Sequence, residues 1–182
     1  MKITLPLDFQ DITLEQYQKY HSGISDIELL KLFWKGDVSK VSLNALETAK
    51  NHLNELFSNE DARFFKSFTF EDIEYGFVND WNEFTTGEWI DCETYGQNLR
   101  DAHKLMSILY RPITRRTDKW YEIEPYNGSH EMFKDLPASW YLGMTVFFCE
   151  REKELLTSSA QSLMGMVEKL TSSRKGGDGI TP

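Results

Sequence analysis

The sequence predicts an α+β fold, predominantly α-helical, with a small antiparallel β-sheet. Three observations carry this. Helix starts are marked by paired capping residues, apolar side chains recur at helical spacing in several segments, and one aromatic-rich stretch switches to a period of two.

The helix starts come first. Thr13 with Gln16, Ser25 with Glu28 and Thr85 with Glu88 each fit a capping box, in which the N-cap hydroxyl serves the third amide and the third side chain reaches back. Ile12 with Tyr17, Ile24 with Leu29 and Phe84 with Trp89 form the flanking hydrophobic staples. Ser42 is a fourth start, with Val41 and Leu46 as its staple and no acid at the third position. Helices are therefore expected to begin near residues 14, 26, 43 and 86. The second is expected to stop at Gly36, a residue type suited to the left-handed helix terminus. The third, from Leu43 to Phe57, places Leu46, Leu53, Leu56 and Phe57 on one stripe. A further helix over Asn98 to Tyr110 carries Leu99, Ala102, Leu105, Met106 and Leu109. Arg111-Pro112 ends it, because a residue before proline is pushed out of the helical region.

Phe64 to Val78 reads differently. Phe68 and Phe70, then Ile73, Tyr75 and Phe77, alternate with polar neighbours, which predicts a hairpin turning near Glu71-Asp72. Ile3 with Leu5, and Trp120 to Ile123, are expected to add short strands. Ser129 to Leu136 reads as a short helix. Pro137 suits the first turn of the next, which is expected to bury Trp140, Met144, Phe147 and Phe148. Thr157-Ser158-Ser159 interrupts it before an amphipathic piece with Leu163, Met164, Val167 and Leu170. One compact domain is expected over residues 1–171, with a flexible tail over 172–182.

Asp8 to Tyr17 and Asp80 to Trp89 look alike at an offset of 72, from 80 − 8. Two readings stand: a duplicated strand–helix unit, or the common look of any strand entering a capped helix.

Bulk composition bounds the function. The chain has 182 residues, 40% hydrophobic and 14% aromatic, enough to fold around a core. Its net charge is −9, from 20 Lys+Arg against 29 Asp+Glu, which disfavours direct binding to nucleic acid or anionic lipid. Cys92 and Cys149 share no metal-type spacing and suit a reducing compartment. Met1 to Pro6 has no apolar signal region, and no stretch approaches the roughly 18 apolar residues of a membrane span, so a cytoplasmic protein is expected.

No motif announces catalysis. His21, His52, His103 and His130 lack a second ligand at zinc or iron spacing, and His21 ends a helix where a cation is favoured. His52 and His103 are expected in ordinary surface or partly buried roles. There is no nucleophile elbow, phosphate loop or dinucleotide fingerprint. No metal and no organic cofactor is expected.

One segment is unusual in charge. Arg111, Arg115, Arg116 and Lys119 lie between Tyr110 and Trp120, beside Tyr121 and Tyr126. Arg111 suits a helix C-terminus; Arg115, Arg116 and Lys119 have no such local explanation. The segment reads either as a solvated loop or as an exposed arm whose Arg115, Arg116, Lys119 and Trp120 bind another protein, since arginine beside tryptophan is interface chemistry. The aromatic surroundings of Trp81, Trp89 and Trp140 are the alternative surface.

Several stretches together have a recognisable order: Asp11 to Tyr17, Leu105 to Pro112, Tyr126-Asn127-Gly128, Met132 to Pro137, and Gly143 to Phe148. This order resembles small tailed-bacteriophage proteins described as tail assembly chaperones or minor virion proteins. The resemblance implies a non-enzymatic protein of the infected bacterium's cytoplasm. Its partners would be other phage structural proteins, with self-association a further option. The alternatives are a structural component of the virion, such as a connector, ring or baseplate subunit, and an enzyme whose site is assembled only in three dimensions.

Overall fold

The structure, a computed structural model, describes residues 5–81, 84–128 and 131–151, together with residues 153 and 164. The chain divides into two compact units, Met1–Met144 and Thr145–Pro182, where one body over 1–171 was expected. In the second unit, residues 145–151, 153 and 164 are helical and Met164 is exposed. The expected interruption at 157–159, the rest of the final amphipathic piece and the tail over 172–182 lie outside the described residues.

The first unit is an α+β fold. Five helices, α1 (Leu14–His21), α2 (Asp26–Phe33), α3 (Leu43–Ser58), α4 (Thr86–Gly96) and α5 (Ala102–Leu109), accompany a four-stranded antiparallel sheet in the order β1-β2-β3-β4. The strands are β1 (Ser67–Phe70), β2 (Ile73–Phe77), β3 (Tyr110–Arg116) and β4 (Tyr121–Ile123).

The capping arithmetic holds at each expected start. Thr13, Ser25 and Thr85 close complete capping boxes with Gln16, Glu28 and Glu88, and Ser42 caps α3 through the Ala45 amide alone. These are local interactions between residues three apart, so sequence spacing suffices to place them. In the hairpin, Glu71 and Asp72 both take positive φ, 48° and 63°. That is the left-handed pair a tight two-residue turn demands.

Three expectations are corrected. Helix α2 ends at Phe33, with Trp34 already extended, rather than at Gly36. Gly36 has another role: its backbone lies under the Trp34 indole, and a Cβ there would stand 2.1 Å from a ring carbon. The helix expected from Asn98 begins instead as a 3-10 turn at Leu99–Asp101 before α5. The expected N-terminal strand does not include Leu5, and Ile3 lies outside the described residues. The sheet draws its remaining strands from residues 110–123.

The proposed repeat keeps only part of its pattern. Thr13 and Thr85 are equivalent caps, but α1 follows a 3-10 turn at Phe9–Asp11 while α4 follows β2. Residues 82 and 83 lie outside the description.

The sheet's inner face meets helical residues 138–144. Phe68 is the hub: its ring lies 5.5 Å from Tyr75, 5.0 Å from Tyr110 and 4.7 Å from Trp140. Of the four residues expected to be buried along this helix, Met144 is fully buried and Trp140 half-buried, while Ala138, Ser139 and Tyr141 are buried as well. Gly143 permits close backbone contact, since a Cβ there would lie 2.1 Å from the Arg63 carbonyl carbon. The N-terminal helices dock through backbone bonds from Leu14 N–H to the Leu136 carbonyl and from Ala138 N–H to the Ile12 carbonyl, each 2.8 Å.

A buried ion pair ties the sheet to α4. Arg111 Nη2 stands 2.6 Å from Glu88 Oε1, both residues 8% exposed. Arg111 Nε–H also donates to the Ile108 carbonyl at the end of α5 (2.9 Å), which is the helix-terminus role expected of it. Burial alone would raise the Glu88 carboxyl. Hydrogen bonds from the Thr85 amide and hydroxyl, with the Arg111 charge, hold it below its ordinary 4.5.

Two outcomes follow from this pair. Glu88→Ala leaves a buried guanidinium without its counter-charge and should cost about 3 kcal/mol in urea unfolding, whereas Glu88→Ala with Arg111→Met should cost less. A depressed folded pKa means that the unfolded chain binds the proton more readily. The stability Glu88 contributes is therefore complete above 4.5 and lost as pH falls through its lower folded value. Urea midpoints should drop as pH falls from 4.5 through that lower value, less steeply in Glu88→Gln.

Candidate functional site

The basic segment is built from the end of α5 outward. Tyr110 N–H closes α5 on the Met106 carbonyl, and the chain then turns extended, since Arg111 precedes Pro112. Residues 110–116 are therefore strand β3, an interior strand of the sheet, rather than the loop or free arm that the charges suggested. Pro112 cannot donate to a ladder, but its carbonyl accepts from Glu124 N–H (2.9 Å), and the β3–β4 register slips between Ile113 and Arg115.

A tight loop returns the chain to β4. Thr117 N–H donates to the Trp120 carbonyl (2.9 Å), and the Trp120 amide donates to the Thr117 hydroxyl (3.3 Å). This fixes Trp120 at the hairpin tip, 44% exposed.

The four candidate binding residues then divide. Arg115 lies over the Trp120 ring, 5.8 Å from its centroid. Lys119 and Trp120 together line a cleft of about 910 Å³. Arg116 belongs elsewhere: it pairs with Glu74 on β2, donates to the Ser67 hydroxyl (2.9 Å) and sits over Tyr121. Arg116 thus has the structural explanation that sequence reading did not find, and it clamps β3 to its neighbours.

Tyr121 is the residue that sequence reading missed. Its ring lies directly on Gly76, where a Cβ would come within 2.4 Å of the ring. Its hydroxyl reaches the Phe77 carbonyl at 2.7 Å and the Lys66 carbonyl at 3.0 Å. Asn79 donates to its backbone carbonyl (2.7 Å), which brings the segment after β2 against β4 and forms one wall of the cleft. Burial raises the Tyr121 phenol above its ordinary value, although Arg116 and the Phe77 bond act the other way. The available signal was Gly76 itself: a glycine inside an alternating strand marks close approach of another group.

Other candidate groups are placed as follows. His103 is buried, with Nδ1 3.3 Å from the Gln18 amide nitrogen and Nε2 3.7 Å from Glu131. A ring nitrogen of His52 meets the Pro6 carbonyl at 2.8 Å, and His130 lies outside the described residues. Burial pushes the Cys92 thiol up to about 12, so it is no ready nucleophile at neutral pH. Among the described residues, no three or more His, Cys, Asp or Glu side chains converge to hold a metal ion, and no helix is long and apolar enough to cross a membrane.

No protein family, curated protein or solved structure matches this chain.

Tyr121, one of the residues lining the cleft, rests on Gly76. Gly76→Ala should displace the ring and cost on the order of 1–3 kcal/mol. Tyr121→Phe should cost about 1 kcal/mol, through the lost hydrogen bonds alone. Thermal unfolding measures both, and Trp120 emission should shift in Gly76→Ala more than in Tyr121→Phe.

Proposed function

We propose that this protein is a non-enzymatic assembly factor that binds other structural proteins of a tailed bacteriophage, in the manner of a tail assembly chaperone. One observation carries the binding reading: Arg115 lies over a half-exposed Trp120, which with Lys119 lines a cleft of about 910 Å³. An arginine–tryptophan pair presents a broad apolar surface with charge at its edge, the chemistry that dominates protein interfaces. The phage assignment rests on the resemblance carried by residues 11–17, 105–112, 126–128, 132–137 and 143–148. The alternative within the same setting is a connector, ring or baseplate subunit.

Mass spectrometry of purified particles and of assembly intermediates tests this. A chaperone is abundant in intermediates and scarce in particles, whereas a structural subunit is stoichiometric in particles. Absence from both would overturn the reading. Arg115→Ala, Lys119→Ala and Trp120→Ala together should shift stability by only about 1 kcal/mol, since none of the three is buried, and should abolish co-purification with virion proteins. Arg116 is left in place because it holds Glu74 and Ser67.

A further inference from the structure

Strand β4 is the last in the sheet, and among the described residues no strand lies beyond it. Its pairing with β3 fixes which backbone groups stay free. Thr117 N–H donates to the Trp120 carbonyl and Glu124 N–H to the Pro112 carbonyl, so residues 120, 122 and 124 turn their polar backbone groups toward β3. In an antiparallel ladder the residues between them turn theirs the other way. Tyr121 and Ile123 therefore present N–H and C=O on the outer edge. The Tyr121 carbonyl bears this direction out, since it accepts from the Asn79 side chain, outside the ladder (2.7 Å). No described group takes the N–H or C=O of Ile123. The next outward residue is Pro125, and an outward edge position is where a missing N–H is tolerated.

The cleft of about 910 Å³ runs along this edge. Consecutive strand residues point to alternate faces, yet Lys119, Trp120, Tyr121, Glu122 and Ile123 all line it. A space that touches all five lies beside the strand rather than over either face. Its charge is distinctive. Lys66 and Lys119 line it together with Asp80 and Glu122, and Arg115, over Trp120, adds a third cation. Arg116 is taken by Glu74, but among the described residues neither Lys119 nor Arg115 has a carboxylate partner. In a chain of net charge −9 this is a locally cationic edge, and it selects an acidic occupant.

We propose that this cleft takes an extended segment of a partner polypeptide, which adds a strand to the outer edge of β4 and sets an acidic side chain against Lys119 and Arg115. Main-chain hydrogen bonds at Ile123 hold the segment, and the flanking side chains decide which segment enters. The inference rests on the reading of the Arg115–Trp120 surface as a binding surface and specifies the form of what binds there. A second copy of this chain suits the edge less well, because antiparallel self-pairing about Glu122 sets two like carboxylates directly opposite each other.

A blocked pentapeptide, acetyl-Thr-Val-Asp-Val-Thr amide, and its counterpart with lysine in place of aspartate serve as probes. Each is titrated into the amide-labelled full chain while the Ile123 backbone amide and the Trp120 indole are followed by NMR. Saturable shifts of both signals are expected with the acidic peptide, and the Ile123 amide should exchange with solvent several-fold more slowly. The lysine peptide should bind about tenfold more weakly. Ile123→Pro removes the outward N–H and no ladder bond, so it should abolish binding, whereas Ile123→Ala keeps that N–H and should bind within about threefold of the parent. Should Ile123→Pro fail to fold, exchange at Ile123 in the unsubstituted chain decides by itself. The inference is overturned if the two peptides bind alike or if Ile123→Pro binds as Ile123→Ala does. It is also overturned if the Ile123 amide is protected without peptide and loses that protection on dilution, which assigns the edge to a second copy. A Trp120 response without slower exchange at Ile123 overturns the added strand and leaves the Arg115–Trp120 surface standing. Silence of both signals at about ten millimolar acidic peptide overturns both.

Discussion

The first unit depends on a carboxylate and a guanidinium that stabilise three element ends at once. Glu88 completes the cap of α4 through Thr85, and Arg111 closes the end of α5 through Ile108. Their ion pair joins these caps to the second residue of β3. The path from β2 through both helices into β3 is therefore pinned where it re-enters the sheet. Removing two charges from water is expensive, and the site offsets this with hydrogen bonds as well as Coulomb attraction. Residues 88 and 111 are far apart in sequence, so neither finds its partner until α4, α5 and β3 are assembled.

Around this junction the sheet and its helical cover are held by aromatic packing. Phe68, Tyr75, Phe77 and Tyr110 present one continuous face, and residues 138–144 close over it. Buried tyrosines need polar partners, and here they use backbone carbonyls: Tyr110 donates to Phe65, and Tyr121 to Phe77 and Lys66. These bonds tie the strand entering β1 to β3 and β4. The hairpin tip carrying Arg115 and Trp120 is thus presented on a rigid base.

What could be read in advance follows the range of each interaction. The starts of α1, α2, α3 and α4 were legible because a capping box involves residues three apart. The 64–78 hairpin was legible because its alternation is local. Strand β3 was not, because Pro112 and three arginines hide a strand whose burial depends on Glu88 and on β2. Arg116 was misread for the same reason, since Glu74 becomes its neighbour only when β2 and β3 pair. Of the candidate binding residues, Arg115 lies over Trp120, and Lys119 and Trp120 line one cleft. Tyr121 was overlooked because its role is written in Gly76, on another strand. The end of α2 was misplaced because a glycine that admits an overlying ring looks, in sequence, like one that ends a helix.

The tip between β1 and β2 has a consequence of its own. Glu71 and Asp72 both hold left-handed backbone angles, which glycine adopts with less strain than glutamate, and they do so with adjacent negative charges. The hairpin therefore closes against both a steric and an electrostatic resistance, and its closure is sustained by the aromatic face beneath it rather than by its own turn. In such an arrangement the tip is a spring held shut by the core. Wherever the packing around Phe68 and Tyr75 loosens, this end of the sheet opens first, and the fold carries its own preferred point of fraying.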